Sequence, residues 1–93
     1  MEIKKSNSET RGIFTAVENE KRAGEMTYSI NEQKNVVIEH TEVNPDYQGQ
    51  GVGKKLIDEA ANFARQNNLK ITPECTYARK VMEKSDKYND VLT

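Results

Sequence analysis

The 93-residue chain is poor in several residue types, and each shortage excludes a class of protein. Cys75 and His40 are its single cysteine and single histidine. They exclude an internal disulfide and a structural zinc site, which needs about four nitrogen or sulfur ligands, and we expect no bound metal. One free cysteine fits a reducing cytoplasm, where we expect the protein to act. The longest aliphatic run, Val36-Val37-Ile38, is far shorter than the roughly 20 residues of a membrane span, and no signal-peptide apolar region follows Met1.

Charge and strong core formers are also limited. With 14 basic and 15 acidic side chains, the net charge of −1 gives no general attraction to nucleic acid or to a membrane. Ile, Leu, Val and Phe together supply 18 of the 93 residues. That share is typical of disordered chains, but disorder usually also needs a high net charge. We therefore expect one small folded domain over residues 1–93, a monomer or weak dimer, with a lean core that a ligand would complete.

The first half of the chain has the pattern of β-strands. Apolar and polar residues alternate from Gly24 to Ile30, where Met26, Tyr28 and Ile30 share one face. Similar β-rich segments run from Thr10 to Val17 and from Val36 to Val43. Short polar stretches, 18–22 and 31–35, separate these segments, which predicts an antiparallel meander of four strands within residues 1–43.

The period changes after residue 51. Apolar residues recur with a 3.6-residue spacing from Val52 to Asn68, which predicts an amphipathic helix that Asn67-Asn68 can close. Residues 69–72 then form a short strand stopped by Pro73, and residues 76–84 a second helix with Tyr77, Val81 and Met82 facing inward. A helix between two strands favours a parallel pair. The predicted class is α+β with the order β-β-β-β-α-β-α.

Three of the five glycines, Gly49, Gly51 and Gly53, lie between the last meander strand and the long helix. Glycines there allow close backbone approach, and the helix start adds unpaired N–H groups, so together they favour an anion such as a phosphate. The spacing fits neither the dinucleotide-binding pattern G-x-G-x-x-G nor a P-loop, which argues against nicotinamide chemistry and nucleotide hydrolysis.

The stretch Gln48-x-x-Gly51-x-Gly53, with Val43-x-Pro45 before it, resembles the pyrophosphate loop of the GNAT superfamily of acetyl-CoA-dependent N-acetyltransferases. The resemblance covers roughly residues 24–84. The short length of the chain, with the sequences at residues 40–43 and 73–75, further resembles a compact subfamily of GNAT-like proteins. It implies a minimal GNAT-like fold and acetyl-CoA or coenzyme A as the cofactor. The residues that it assigns to the cofactor are Val43, Gln48, Gly49, Gln50, Gly51, Val52, Gly53 and Lys54.

Two departures from the family pattern concern the transfer step. The stretch 18–22 leaves no room for the helices that usually help to form the acceptor site. The last helix of typical members follows Asn-x-x-Ala-x-x-x-Tyr, where the tyrosine protonates the leaving thiolate. With Ala78 in register, Cys75 occupies the asparagine position and Met82 the tyrosine position, and methionine cannot donate a proton.

Cys75, His40 and Glu42 are the candidate catalytic residues. Cys75 opens a helix, where N–H groups can lower a thiol pKa, so it could accept an acetyl group covalently; the alternative is a small buried side chain. His40 could deprotonate a thiol or an amine, and it shares strand parity with Ile38 and Glu42. Glu42 could act as a base through water. For both, the alternative is a solvated side chain on the sheet.

The sequence thus predicts an acetyl-CoA-binding GNAT-like protein that moves an acetyl group to an unidentified amine. Two alternatives stay open, because the usual proton donor and acceptor helices are missing. One is a non-catalytic module that binds or senses acetyl-CoA. The other is slow thioester hydrolysis or self-acetylation at Cys75.

Overall fold

A computed structural model describes all residues from 1 to 93, and it has the predicted element order. One five-stranded sheet has the order β1-β2-β3-β4-β5, in which the first four strands are antiparallel and β5 is parallel to β4. The strands are β1 (Glu2–Asn7), β2 (Arg11–Glu18), β3 (Lys21–Ile30), β4 (Asn35–Val43) and β5 (Lys70–Pro73). The helices are α1 (Val52–Gln66) and α2 (Thr76–Glu83), and 3₁₀ turns form at Pro45–Tyr47 and Asp86–Tyr88. The α+β prediction is confirmed.

The connection between β2 and β3 is shorter than predicted. Asn19 and Glu20, with φ values of 49° and 67°, are the only residues between the two strands. This is the backbone of a two-residue hairpin turn. Strand β3 therefore starts at Lys21 instead of Gly24. The alternation that marks a strand is broken at the start of β3, because the pairing of β3 with β2 has a bulge. Ala16 of β2 pairs with Gly24, whereas Val17 pairs with Arg22.

The long amphipathic helix is confirmed with a slightly earlier end. Helix α1 stops at Gln66, Asn67 caps it, and Asn68 has a left-handed φ of 57°. Its buried side is rich in alanine, which lets the helix axis approach the sheet closely. The fully buried residues of that side are Leu56, Ile57, Ala60, Ala61 and Ala64.

The main hydrophobic core lies on one face of the sheet. A cluster of 18 buried residues joins β2, β3, β4 and β5 to both helices and the C-terminal segment. No helix covers the opposite face, which carries surface ion pairs, Arg11–Glu39 at 3.0 Å and Arg22–Glu25 at 3.0 Å. A sheet that is covered on one face only buries apolar side chains from that face alone, which explains the low share of strong core formers.

The C-terminal residues pack against β5. Tyr88 and Val91 are buried, and Leu92 forms a parallel bridge to Ile71. The Ile71 N–H donates to the Val91 carbonyl at 2.6 Å. The segment therefore covers the outer edge of β5, which would otherwise present unpaired backbone groups.

Helix α2 differs from the prediction in the face that it buries. Ala78 and Met82, four residues apart, are both 0% exposed, whereas Tyr77 is 41% exposed and Val81 is only partly buried. The inward orientation predicted for Tyr77 was wrong, because its side chain lies beside the glycine loop. Neither helix has the length and apolar character that a membrane crossing requires.

Candidate functional site

The glycine loop joins the end of β4 to the start of α1. The Asn44 side chain accepts a hydrogen bond from the Asp46 N–H at 3.0 Å, which fixes the 3₁₀ turn that precedes the loop. Gly49 and Gly51 then have φ values of 82° and 75°, a region that residues with a Cβ rarely adopt. Nothing lies within 4 Å of where a Cβ would stand on either glycine, so the backbone is open to a ligand.

Gly51 is also the N-cap residue of α1, and no side chain caps the helix there. The first N–H groups of an α-helix have no partner within the helix and carry a partial positive charge. In α1 these groups are therefore left for a bound anion.

A groove of about 530 Å³ runs beside this loop. It is lined by Thr41, Val43, Tyr47, Gln48, Gly49, Gly51, Val52, Gly53 and Tyr77. Six of the eight residues predicted to bind the cofactor thus lie together, while Gln50 and Lys54 are exposed and do not line the groove. A hollow of about 580 Å³ at the edge formed by Met1, Glu18 and Arg22 contains none of the predicted site residues.

The groove opens because β4 and β5 separate. Their pairing runs from Asn35 with Lys70 to Ile38 with Pro73, while β4 continues to Val43. Beyond Pro73 the chain turns away, and the N–H groups of Glu74 and Cys75 both donate to the Ile38 carbonyl at 3.0 Å. The last five residues of β4 therefore have no partner strand on this side.

Cys75 lies at this separation as the N-cap residue of α2, partly buried and free of any disulfide. Burial raises the pKa of the thiol, but it is outweighed by the Ala78 N–H, the Thr41 hydroxyl, and the N–H groups of Tyr77 and Thr41. The net result is a lowered pKa.

Thr41 was not predicted as a site residue. Its hydroxyl oxygen is buried and has no hydrogen-bond partner within normal geometry. Such an atom is costly unless something pairs with it, so this hydroxyl is available to the Cys75 sulfur or to a ligand in the groove. The only sequence signal for Thr41 was its alternation with Val43 along the strand.

His40 and Glu42 lie on the other face of the sheet, so the predicted shared face of Ile38, His40 and Glu42 was wrong. In β3 the residues Tyr28 and Met26 are two apart, but their partners in β4, Ile38 and Thr41, are three apart. The extra residue is a β-bulge, which reverses the alternation. Thr41 and Val43 therefore face the groove. Glu42, which the family resemblance places beside Val43 against the pantetheine, does not.

The two side chains are exposed on that open face. The Nε2 atom of His40 lies 3.9 Å from the Glu42 carboxylate, which also accepts a hydrogen bond from Arg22 at 2.9 Å. The hydrogen bond and positive charge of Arg22 lower the pKa of Glu42. A carboxylate with a lowered pKa is a weaker base, so the imidazole is the better proton acceptor of the pair.

Met82 occupies the position of the family's proton-donating tyrosine and is completely buried in the core. The acceptor-side helices of the family would lie between the first two strands. In this structure those strands are β1 and β2, which only residues 8–10 connect, and the turn between β2 and β3 is two residues long, so neither connection has room for a helix. Both departures noted in the sequence are thus present in the fold.

We predict that Cys75 reacts with iodoacetamide faster near neutral pH than a cysteine in an unfolded peptide. Only the thiolate reacts, and a lowered pKa makes it abundant at lower pH, so the rate should rise with pH and reach half its maximum below pH ~8.5, the usual thiol pKa. Thr41→Val, which removes the hydroxyl at similar volume, should move this midpoint upward. A wild-type midpoint at or above the peptide value would contradict the lowered pKa.

Comparison with solved structures defines the class of fold. The NMR structure of a GCN5-like protein from Staphylococcus aureus shares 39% identity, covers 99% of this chain and 87% of that one, and superposes with a TM-score of 0.74. A Bacillus anthracis protein assigned as a streptothricin acetyltransferase, solved with acetyl coenzyme A, shares 29% identity over 84% of this chain with a TM-score of 0.70. The present chain spans about half of that protein, 48%.

The ribosomal-protein-S18-alanine N-acetyltransferase of Escherichia coli has the same fold at 19% identity, covering 84% of this chain and 53% of that one, with a TM-score of 0.71. A search of the curated proteins finds no significant match. The family model for GCN5-related N-acetyltransferases matches residues 13–91. The chain therefore belongs to the GCN5-related N-acetyltransferase family.

Proposed function

We propose that this protein binds acetyl-CoA in the groove beside the glycine loop and transfers the acetyl group to an amine through Cys75. The observation that carries the proposal is the position of Cys75, a thiol with a lowered pKa: it lies against Thr41 and Tyr77, and both of these residues line the groove of the glycine loop. Membership of the family and the acetyl-CoA bound to the Bacillus anthracis protein support the cofactor.

The residues of the groove fit such a ligand. At the loop, Gly49 and Gly51 leave open space where a Cβ would stand, and the uncapped start of α1 favours the negative pyrophosphate. Further along, the buried Thr41 hydroxyl, whose hydrogen favours the Cys75 thiolate, can still accept a hydrogen bond from an N–H group of the ligand. Gln48, Val52, Gly53 and Val43 complete the wall, while Gln50 and Lys54 would contribute from the exposed rim.

Acetyl-CoA would supply an activated acetyl group as a thioester. The Cys75 thiolate attacks the carbonyl carbon, a new sulfur–carbon bond forms, and the bond to coenzyme A breaks with departure of its thiolate. One thiolate replaces another, so this step needs no proton donor, which agrees with the methionine at position 82. An amine then attacks acetyl-Cys75, loses a proton to a base or water, and regenerates the thiolate. A reducing cytoplasm would keep Cys75 available for this cycle.

We propose that His40 is the base that accepts the proton lost by the amine. Its imidazole is exposed on the open face of the sheet beside Glu42, so it would take this proton from an amine that reaches acetyl-Cys75 from that face, through the gap between β4 and β5. Glu42, held by Arg22, would orient and stabilise the protonated imidazole. The acceptor itself remains an amine of undefined identity.

Two observations favour a second candidate, a module that binds acetyl-CoA without transfer. The first is the missing proton donor, because methionine stands at position 82. The second is the short turns between the first strands, which leave no room for acceptor-side helices. Slow hydrolysis or self-acetylation at Cys75 is a third possibility, in which Cys75 reacts with acetyl-CoA but no amine is acetylated.

The functions are separated by incubating the protein with acetyl-CoA, with and without a mixture of primary amines and lysine peptides. Free coenzyme A is measured with a thiol reagent and acetylated amine by mass spectrometry. Transfer predicts that both appear in equal amounts. Hydrolysis predicts free coenzyme A without acetylated amine, and the binding module predicts neither, so either result would contradict transfer.

We predict that acetyl-CoA raises the melting temperature of the protein. A ligand at 100 times its dissociation constant stabilises the folded state by about 2.7 kcal/mol. For a domain of this size, that corresponds to roughly 10–20 °C. Thermal unfolding followed by circular dichroism measures the shift. An unchanged melting temperature at the highest soluble acetyl-CoA concentration would contradict binding.

A further inference from the structure

Tyr77 is one of three large apolar side chains that are more than one-third exposed, and it alone lines the groove. It is the second residue of α2, and the residue is 41% exposed. An exposed aromatic ring in a groove is a common ligand-binding surface, because it offers a large flat contact area.

The ring of Tyr77 reaches across to the first turn of α1. A Cβ built on Gly53 would lie 2.6 Å from both Cε2 and Cζ of the ring, and it would also overlap the hydroxyl oxygen. The hydroxyl end therefore rests directly on Gly53, which is buried although it lies at the start of the helix. This contact explains why a glycine stands at position 53.

Tyr77 also contacts the other end of the site through its backbone. Its N–H group is one of those that lower the pKa of Cys75. One residue thus connects the start of α1, where the glycine loop ends, to the thiol at the separation of β4 and β5. Any ligand that extends from the loop to Cys75 must pass this ring.

We propose that Tyr77 is a positioning residue that binds the pantetheine arm, the chain of amides and methylenes between the phosphates and the thioester. This inference rests on the proposed binding of acetyl-CoA. The ring provides the contact, since the hydroxyl is turned toward Gly53. Tyr77 would hold the arm in the groove so that the thioester lies at Cys75, and it takes no proton.

Calorimetric titration of wild type, Tyr77→Ala and Tyr77→Phe tests this role, with coenzyme A and with 3′,5′-ADP, which lacks the arm and the second phosphate of the pyrophosphate. Removing the ring should weaken coenzyme A binding about tenfold, as expected for losing an apolar contact of aromatic size. Binding of 3′,5′-ADP should change less than about twofold, and Tyr77→Phe should bind both nucleotides like wild type. Equal losses on both nucleotides, or no loss on coenzyme A, would overturn the inference.

The rate of Cys75 alkylation in the absence of nucleotide provides the structural control. The three proteins should react at the same rate, because the backbone N–H of residue 77 is kept in each. A changed rate in Tyr77→Ala would mean that the ring acts by holding α2, and it would overturn the positioning role. If the wild type binds neither nucleotide, the proposed function fails as well, whereas a normal wild type with an unaffected Tyr77→Ala overturns this inference alone.

Discussion

Replacing Gly51 with valine should weaken coenzyme A binding at least tenfold, which corresponds to about 1.4 kcal/mol or more. Gly51 has a φ of 75°, and the position of its missing Cβ is open to the groove. A β-branched side chain there would project toward the ligand and would also resist the left-handed conformation. Isothermal titration of the folded variant measures the loss.

The strain of the valine has to be separated from its contact with the ligand. Asn68→Val is a matched control, because Asn68 also has a left-handed φ, 57°, but lies at the far end of α1. Both variants should lose about 1–2 kcal/mol of unfolding free energy. Only Gly51→Val should lose affinity for coenzyme A. Unchanged affinity in a folded Gly51→Val protein would contradict the assignment of the loop to the pyrophosphate.

Replacing Cys75 with serine should abolish covalent acetylation of the protein and reduce acetyl transfer by at least about a hundredfold. A serine hydroxyl is not ionised at neutral pH, whereas the N–H groups of α2 and the Thr41 hydroxyl favour the Cys75 thiolate. Intact mass spectrometry after brief incubation with acetyl-CoA should show one added acetyl group in wild type and none in the variant.

Coenzyme A binding provides the control for this variant, because the glycine loop does not depend on the thiol. Cys75→Ser and Cys75→Ala should both bind coenzyme A with wild-type affinity, within about twofold. Cys75→Ser with full transfer activity would contradict the covalent route and would favour direct transfer to the amine. Direct transfer would also be favoured if the wild-type protein transfers acetyl groups at full rate but acetyl-Cys75 cannot be detected, even after rapid quenching.

The order of the elements and the glycine loop could be predicted because their signals are local. The 3.6-residue period of α1 follows from its contact with one face of the sheet, and Asn67-Asn68 end it through turn chemistry. Gly49 and Gly51 could be assigned to a turn because few other residues adopt a positive φ. Gly53 was also predicted to lie in the site, but the reason for a glycine at this position is different. It has no positive φ, and a larger residue there would overlap the ring of Tyr77.

The errors arose where strand alternation is interrupted. A bulge in β4 places three residues of that strand opposite two of β3, so parity assigned His40 and Glu42 to the face of Ile38. Nothing in the local sequence marks that bulge. Thr41 and Tyr77 were missed as site residues for a related reason: their importance depends on the separation of β4 and β5, which is a tertiary feature.

The central claim is that the glycine loop binds coenzyme A. Titration with coenzyme A, followed by the backbone amide chemical shifts of ¹⁵N-labelled protein, tests it most directly. The account predicts that the largest shifts belong to residues 48–54, followed by Thr41 and Val43, while the turn at residues 31–34, at the other end of β4, stays unchanged. Amides of residues 48–54 that do not move at saturating coenzyme A would contradict it.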